Sequence, residues 1–284
     1  MSELTVFEKL SLSTIRIECI LQNGDVSTGT GFFFKFIESG DTYVPAIITN
    51  KHVIEDSIEG KLFFTLGDKN GNPSDNIYKF VLTDFQKPWL DHPNPDIDLC
   101  ALPINVFITK MNKMELKPYI TFFDFSLLPS EEDVDEMIGL EHIIMVGYPN
   151  GLWDEKHNQP IFRDGILASH YKFDWENKSE FIIDAACFPG SSGSPVLIAD
   201  IGQVLSKKGF NIGSSRIKLL GILYAGPVLS AEGTLKIIPA PTVNSIHTST
   251  EIPINLGYCI KSNKIKEFES VFENELEKKH NINV

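Results

Sequence analysis

The shortness of its apolar runs constrains the fold of this chain more than any other feature. TIRIECIL (14–21) alternates in character and then meets Gln22-Asn23-Gly24-Asp25, a hairpin signal. TGTGFFFKF, VPAIITN, KLFFTL and IYKFVLTDF continue the pattern, followed by DLCALPI, HIIMVGYP, FIIDAACF, SPVLIA, IKLLGILYAG and INLGYCI. Many short strands separated by turn residues imply an all-β sandwich or barrel. The aromatic-rich runs suit half-buried strand faces.

Two segments read as helices instead. Ser130-Glu131-Glu132-Asp133 caps and charges the start of a short one. From Lys261 onward, Ile265, Phe268, Val271, Phe272 and Leu276 form a stripe at helical spacing, with Asn263 as a candidate cap. That stripe is expected to dock on the body of the protein. The stretch from Met111 to Gly139 is irregular, carries Pro118 and Pro129, and divides the strands into two groups of similar size.

Composition narrows the partners. The 284 residues suffice for a packed core, and 42% of them are hydrophobic. A net charge of −13 repels nucleic acid and anionic membranes, so neither is expected as a partner. The start, MSELTVFEKL, places Glu3, Glu8 and Lys9 where a signal peptide needs an unbroken apolar stretch, and a cytoplasmic protein is expected. Cys19, Cys100, Cys187 and Cys259 are far apart, without a CxxC pair, and read as buried thiols. His92, His142, His157, His170, His247 and His280 show no paired metal spacing, so no metal or cofactor is expected.

Three motifs carry chemical content. In AIITNKHVI (46–54) a strand delivers His52 to its end, after GTGFFF (29–34). In DIDLCALPI (96–104) a carboxylate stands at the mouth of a buried strand, which is costly unless it is paired. Asp96 competes with Asp98 there. Asp98 is preferred, because starting the strand at Asp96 would bury a second carboxylate. The third motif, GSSGSP (190–195), crowds glycine and serine ahead of an apolar strand.

In this order, TNKHVI, DLCAL and GSSGSP resemble the histidine, aspartate and serine blocks of the chymotrypsin-like serine peptidases, in particular the bacterial trypsin-like branch that includes the HtrA proteases. GYP (147–149), LLGILYAG (219–226) and NLGYCI before the final helix resemble further parts of that family, over roughly residues 14 to 275. The resemblance implies two six-stranded antiparallel Greek-key β-barrels, at 1–125 and 140–260, with a linker at 126–139 and a C-terminal α-helix at 261–284. It implies a serine endopeptidase acting on a protein or peptide substrate. Of the three clustered serines, only Ser192 fits the frame G-x-S-G-x-P. His52 would be its base, Asp98 would orient the imidazole, and the N–H groups of Gly190 and Ser192 would form an oxyanion hole. Ala186 and Cys187, facing Gly257 and Cys259, would line the primary specificity pocket, which favours a small or apolar residue before the scissile bond. Tyr224, Ala225 and Gly226 would pair with substrate as a β-strand.

The chain also departs from the family. Many members pair a freed amino terminus with an aspartate before the nucleophile, and here that position is Ser191. Activity is therefore expected not to need a new amino terminus. Tyr224 stands where many relatives have a serine that supports the triad aspartate. Residues 227–254 are a long insertion beside the pocket, read either as a surface loop or as a lid. A regulatory protein partner is a further expectation, and the alternative to a peptidase is a catalytically silent trypsin-like fold serving as a protein-binding scaffold.

Overall fold

The computed structural model describes residues 4–235 and 246–282. Its first strands are β1 (Thr14–Leu21), β2 (Val26–Ser39), β3 (Thr42–Thr49), β4 (Ser57–Gly67), β5 (Pro73–Thr83), β6 (Leu90–Asp91) and β7 (Cys100–Pro103). They form one seven-stranded sheet in the order β5-β4-β1-β2-β3-β7-β6. The second group begins with β8 (His142–Gly147), β9 (Ile161–Leu167), β10 (Glu180–Asp184) and β11 (Pro195–Asp200). A hairpin comes next, β12 (Gln203–Ser206) with β13 (Gly209–Ile212), and then β14 (Arg216–Ala225), β15 (Val228–Leu235), β16 (Ile246–Pro253) and β17 (Leu256–Lys261). Six of these close into a barrel, β10-β17-β14-β11-β8-β9.

Both groups share one connectivity. In each, three strands meander and the fourth returns beside the first, giving β4-β1-β2-β3 and β11-β8-β9-β10. That is the Greek key. The groups differ at the seam. The barrel closes between β14 and β17, whereas β5 and β7 do not pair, and β7 pairs instead with the two-residue β6. The first group is thus a curled seven-stranded sheet rather than a hydrogen-bonded six-stranded barrel. Side chains cover its seam: Phe80 of β5, Leu102 of β7 and Met111 share one apolar cluster with Ile15, Ile17 and Phe33. Met111 comes from a helix that strand-like patterning did not reveal, α3 (Asn105–Lys113), which comes after α1 (Val6–Ser11) and the single turn α2 (Lys51–Ile54) in the chain.

The phenylalanine run of β2 joins the halves. Successive strand residues face opposite ways. Phe33 accordingly enters the cluster inside the first sheet, while Phe32, Phe34 and Phe36 face a second cluster with Val146, Leu197, Leu219 and Ile260 of the barrel. Between the halves, α4 (Glu131–Glu136) has the expected cap, with Ser130 accepting from the Asp133 N–H. After β17, a 3-10 stretch (Ser262–Glu267) leads into α5 (Phe268–Ile282). Ile265, Phe268 and Phe272 are buried against β2, with the Phe272 ring 4.6 Å from that of Phe36. Asn263 does not cap this element, since its side chain accepts from Ser179 Oγ.

Segment 227–254 contains a two-stranded ribbon, with β15 and β16 paired from Val228–Pro253 to Leu235–Ile246. Residues 236–245 of that segment lie outside the described residues. The second GSS, at 213–215, is a loop in which Ser215 Oγ accepts from the Gly202 N–H.

Candidate active site

The register of two neighbouring strands builds the first half of the site. β3 ends in the buried run Ala46-Ile47-Ile48-Thr49, and Thr49 lies opposite Cys100 at the start of antiparallel β7. The residues just after β3 therefore meet the residues just before β7. His52 lies in α2, held from behind by buried Val53 and Ile54, and Asp98 stands two residues ahead of β7. His52 Nδ1 is 2.6 Å from Asp98 Oδ2, and the His52 N–H donates to Oδ1 at 3.2 Å. Asn50 adds a bond from Nδ2 to the Asp98 carbonyl at 2.7 Å. The carboxylate on His52 is thus that of Asp98, while the Asp96 N–H is turned to Asn94 Oδ1. An ionised Asp98 keeps a proton on Nδ1 and leaves Nε2 as the basic nitrogen. Among the described residues no hydrogen bond joins the Tyr224 hydroxyl to Asp98; burial and the Glu180 carboxylate push its phenol up, with Asp98 adding to the shift, and its ring lies 6.5 Å from that of Tyr258.

Two consecutive tight turns make the second half. The Ser191 N–H donates to the Phe188 carbonyl at 3.0 Å, with Pro189 second in the turn and Gly190 third at φ 83°. Proline followed by a left-handed glycine is the sequence of a type II turn. Next, the Ser194 N–H donates to Ser191 O at 3.0 Å, with Gly193 third at φ 85°. Ser192 stands between the two glycines. The Asn150 N–H, in a short turn (Pro149–Gly151), holds the Pro189 carbonyl. Carbonyl and N–H point oppositely across a trans peptide, so the Gly190 N–H faces away from Asn150. Neither the Gly190 nor the Ser192 N–H has an acceptor among the described residues.

The two halves meet where the Thr30 N–H of β2 donates to Ser192 O at 2.9 Å. The Ser192 hydroxyl is directed to the Tyr224 carbonyl at 3.5 Å, and no described hydrogen bond joins it to the His52 ring. The neighbouring hydroxyls, Ser191 Oγ and Ser194 Oγ, are buried without a hydrogen-bond partner among the described residues.

Beside the turns, Cys187 fills the space between two glycines. A Cβ on Gly257 would lie 2.6 Å from Cys187 Sγ, and one on Gly226 would lie 3.7 Å from Cys187 Cβ. Burial pushes the Cys187 thiol up to about 11. Ala186 is half-buried beside it, whereas Cys259 is enclosed in the barrel core. Ala225 and Gly226 are exposed at the end of β14. Strand alternation could have revealed one further residue, Arg163. It is the inward charge of IFRDGIL, donates from Nη1 to the Ala186 carbonyl at 2.7 Å, and lies 4.8 Å from the Phe188 ring centre. Burial lowers its pKa. Asn150 was legible too, as the left-handed residue of a Pro-Asn-Gly turn.

The trypsin-like peptidase domain model matches residues 29–205, which contain all three motifs. The chain belongs to the trypsin-like peptidase domain family. Among solved structures, it is similar to the active form of the Rv3671c protease from M. tuberculosis, at 13% identity and TM-score 0.44, covering 90% of this chain and 79% of that one. It is also similar to the HtrA-type protease AlgW with a tripeptide, at 14% identity and TM-score 0.47, over 92% of this chain and 61% of that one, and so spans about three fifths of AlgW. A third similarity is to Deg5, at 20% identity and TM-score 0.41, over 77% of this chain and 82% of that one. Likenesses this low carry neither substrate nor mechanism across. A comparison with curated sequences gives no match. Among the described residues, no helix is long and apolar enough to cross a membrane, and no group of His, Cys, Asp and Glu could hold a metal ion.

Proposed function

We propose that this trypsin-like peptidase domain is a serine endopeptidase with His52, Asp98 and Ser192 as its triad. The observation that carries the reading is the 2.6 Å contact between His52 Nδ1 and Asp98 Oδ2, in a chain whose nucleophile turn is fastened to the same sheet. In the first step Ser192 Oγ bonds to the substrate carbonyl carbon while its proton passes to His52 Nε2. The resulting oxyanion accepts from the N–H groups of Gly190 and Ser192, donors typically worth about 3 kcal/mol each. Collapse breaks the C–N bond, the leaving amine takes the proton from His52, and an acyl-enzyme remains. Water then repeats the sequence and frees the acid.

The specificity reading rests on Cys187. The Cys187 side chain is small and uncharged where it stands between Gly226 and Gly257, and the Arg163 charge bonded to the Ala186 carbonyl opposes a cationic side chain. The substrate residue before the scissile bond is small or apolar. A peptide-library profile dominated by Lys or Arg refutes this. Four buried free thiols support a reducing, cytosolic setting.

One observation favours the silent-scaffold reading: the Ser192 hydroxyl is turned to the Tyr224 carbonyl. Labelling with a fluorophosphonate separates the two. Wild type is expected to label at Ser192, Ser192→Ala not at all, and His52→Ala and Asp98→Asn at least about a thousandfold more slowly. Folded wild type that does not label overturns the peptidase reading.

A further inference from the structure

The GTGFFF motif gives its phenylalanines to the core, but its threonine has a different set of contacts. Thr30 is fully buried in β2 and uses each of its polar groups. Its hydroxyl donates to the Gly190 carbonyl at 3.0 Å and accepts from the Tyr148 N–H at 3.0 Å. Its N–H donates to the Ser192 carbonyl at 2.9 Å. Its own carbonyl accepts from Thr49 Oγ1 at 2.7 Å, at the end of the strand that leads to His52. One residue of the first sheet thus holds both carbonyls flanking Ser191, and it is tied at once to the histidine strand and to the turn that carries Asn150.

The geometry has a direct consequence for the oxyanion donors. The Gly190 N–H lies in the peptide plane before the Gly190 Cα, and its aim depends on how that plane is set against the one after it. Glycine can rotate both at little cost. Asn150 fixes the plane before it through the Pro189 carbonyl, and Thr30 fixes the plane after it through the Gly190 carbonyl. The Ser192 N–H lies in the plane between Ser191 and Ser192, which is bracketed by the plane after Gly190 and by the plane after Ser192 that the Thr30 N–H holds. A valine at this position would keep the shape of the side chain. It would strand a buried carbonyl at Gly190 and a buried N–H at Tyr148, groups that are costly to leave unpaired.

We infer that Thr30 is a positioning residue for the oxyanion donors: its hydroxyl and N–H hold the peptide planes on either side of the Ser191–Ser192 peptide, which carries the Ser192 N–H, and the first of these also adjoins the plane of the Gly190 N–H, so that both donors are aimed before substrate arrives. The inference rests on the peptidase reading for its catalytic consequence and on hydrogen bonds alone for its structural one. Preorganised donors act on the transition state more than on substrate binding. Losing the lock therefore lowers kcat and leaves KM nearly unchanged.

The test uses Thr30→Val and Thr30→Ser in the full chain, with two readouts. The first is kcat and KM on a peptide substrate, together with the rate of fluorophosphonate labelling at Ser192. Thr30→Val is expected to lower kcat and labelling about ten- to hundredfold with KM within about twofold, and Thr30→Ser to stay within about threefold of wild type. The second is amide hydrogen exchange in the Ser192→Ala background. There Thr30→Val is expected to raise exchange about tenfold across 188–194 and 147–151, while β4 is unchanged. Should Thr30→Val not fold, Thr30→Cys keeps a γ atom with weak hydrogen bonding and is expected to fall between Val and Ser. Wild-type labelling and unchanged exchange in Thr30→Val overturn the inference, as does equal impairment by Val and Ser, because serine keeps the hydroxyl that the inference makes responsible. A wild type that never labels, with exchange still raised by Thr30→Val, removes the peptidase reading and leaves the lock.

Discussion

Gly193→Ala is a direct test of how the nucleophile turn is seated. Gly193 has φ 85°, a left-handed conformation that costs a side-chain-bearing residue about 1–2 kcal/mol. A Cβ there would lie 1.9 Å from the Thr30 carbonyl oxygen and 2.5 Å from Thr49 Oγ1. Neither atom can retreat freely. The Thr30 carbonyl is bonded to Thr49 Oγ1, and the Thr30 N–H to Ser192 O. Moving the strand disturbs both bonds, at about 1 kcal/mol each, and overpacking of this kind costs about 1–3 kcal/mol. The expected total is about 4–7 kcal/mol, a large part of a typical domain's stability of about 5–15 kcal/mol. Gly24 is the internal control. Its φ of 87° is nearly the same, yet a Cβ there meets nothing within 4 Å. Gly24→Ala should therefore lose only the conformational part, about 1–2 kcal/mol. Urea denaturation monitored by tryptophan fluorescence gives both values. Equal losses in the two variants would refute the argument, because the seating against Thr30 would then contribute nothing.

Other consequences are measurable. His92 is buried, bonded to the Lys264 carbonyl at 3.0 Å and in contact with Phe268, and burial holds its pKa below the usual histidine range although Glu267 pulls the other way. The unfolded chain then binds more protons below pH ~6.5, so stability falls as pH drops from there, and His92→Gln should flatten thermal midpoints between about pH 6.5 and 5. Phe272→Ala removes a buried ring from β2 and should cost about 3–5 kcal/mol, with α5 becoming sensitive to limited proteolysis before the barrel. Burial pushes the thiols up, Cys19 to about 12 and Cys187 to about 11, so native protein at pH 8 should react slowly with an aromatic disulfide reagent and yield all four thiols quickly only in denaturant.

Much of this was legible because the relevant signals are local. Short alternating and apolar runs marked the strands, whereas the division of FFFKF between two clusters came only with the structure. A serine with an aspartate three residues later marked α4. Helical spacing marked the face of α5. The Thr5–Glu8 capping box of α1 is equally local, but the helix is a short one of six residues and its apolar face is too brief to show a helical period. The α3 helix is hidden by a different cause: NVFITKMNK is β-branched and short, and its helicity comes from packing Met111 into the first sheet's cluster. Closure is also not written locally. Whether two edge strands pair depends on their length and stagger once the sheet has curled, and β7 has only four residues.

What the sequence by itself determined is the residue types and their order: a histidine after a buried strand, a carboxylate before another, and a serine between two glycines that accept positive φ. These come from chain-local physics, namely alternation, turn chemistry and the cost of burying a charge. Only the tertiary structure decided between Asp96 and Asp98 on the His52 ring, set Cys187 between Gly226 and Gly257, brought Arg163 behind Ala186 and gave Thr30 its four partners. Each of those contacts joins residues far apart in the chain. Their distances are set by strand register and by how the curled sheet meets the barrel, and no local pattern encodes either one.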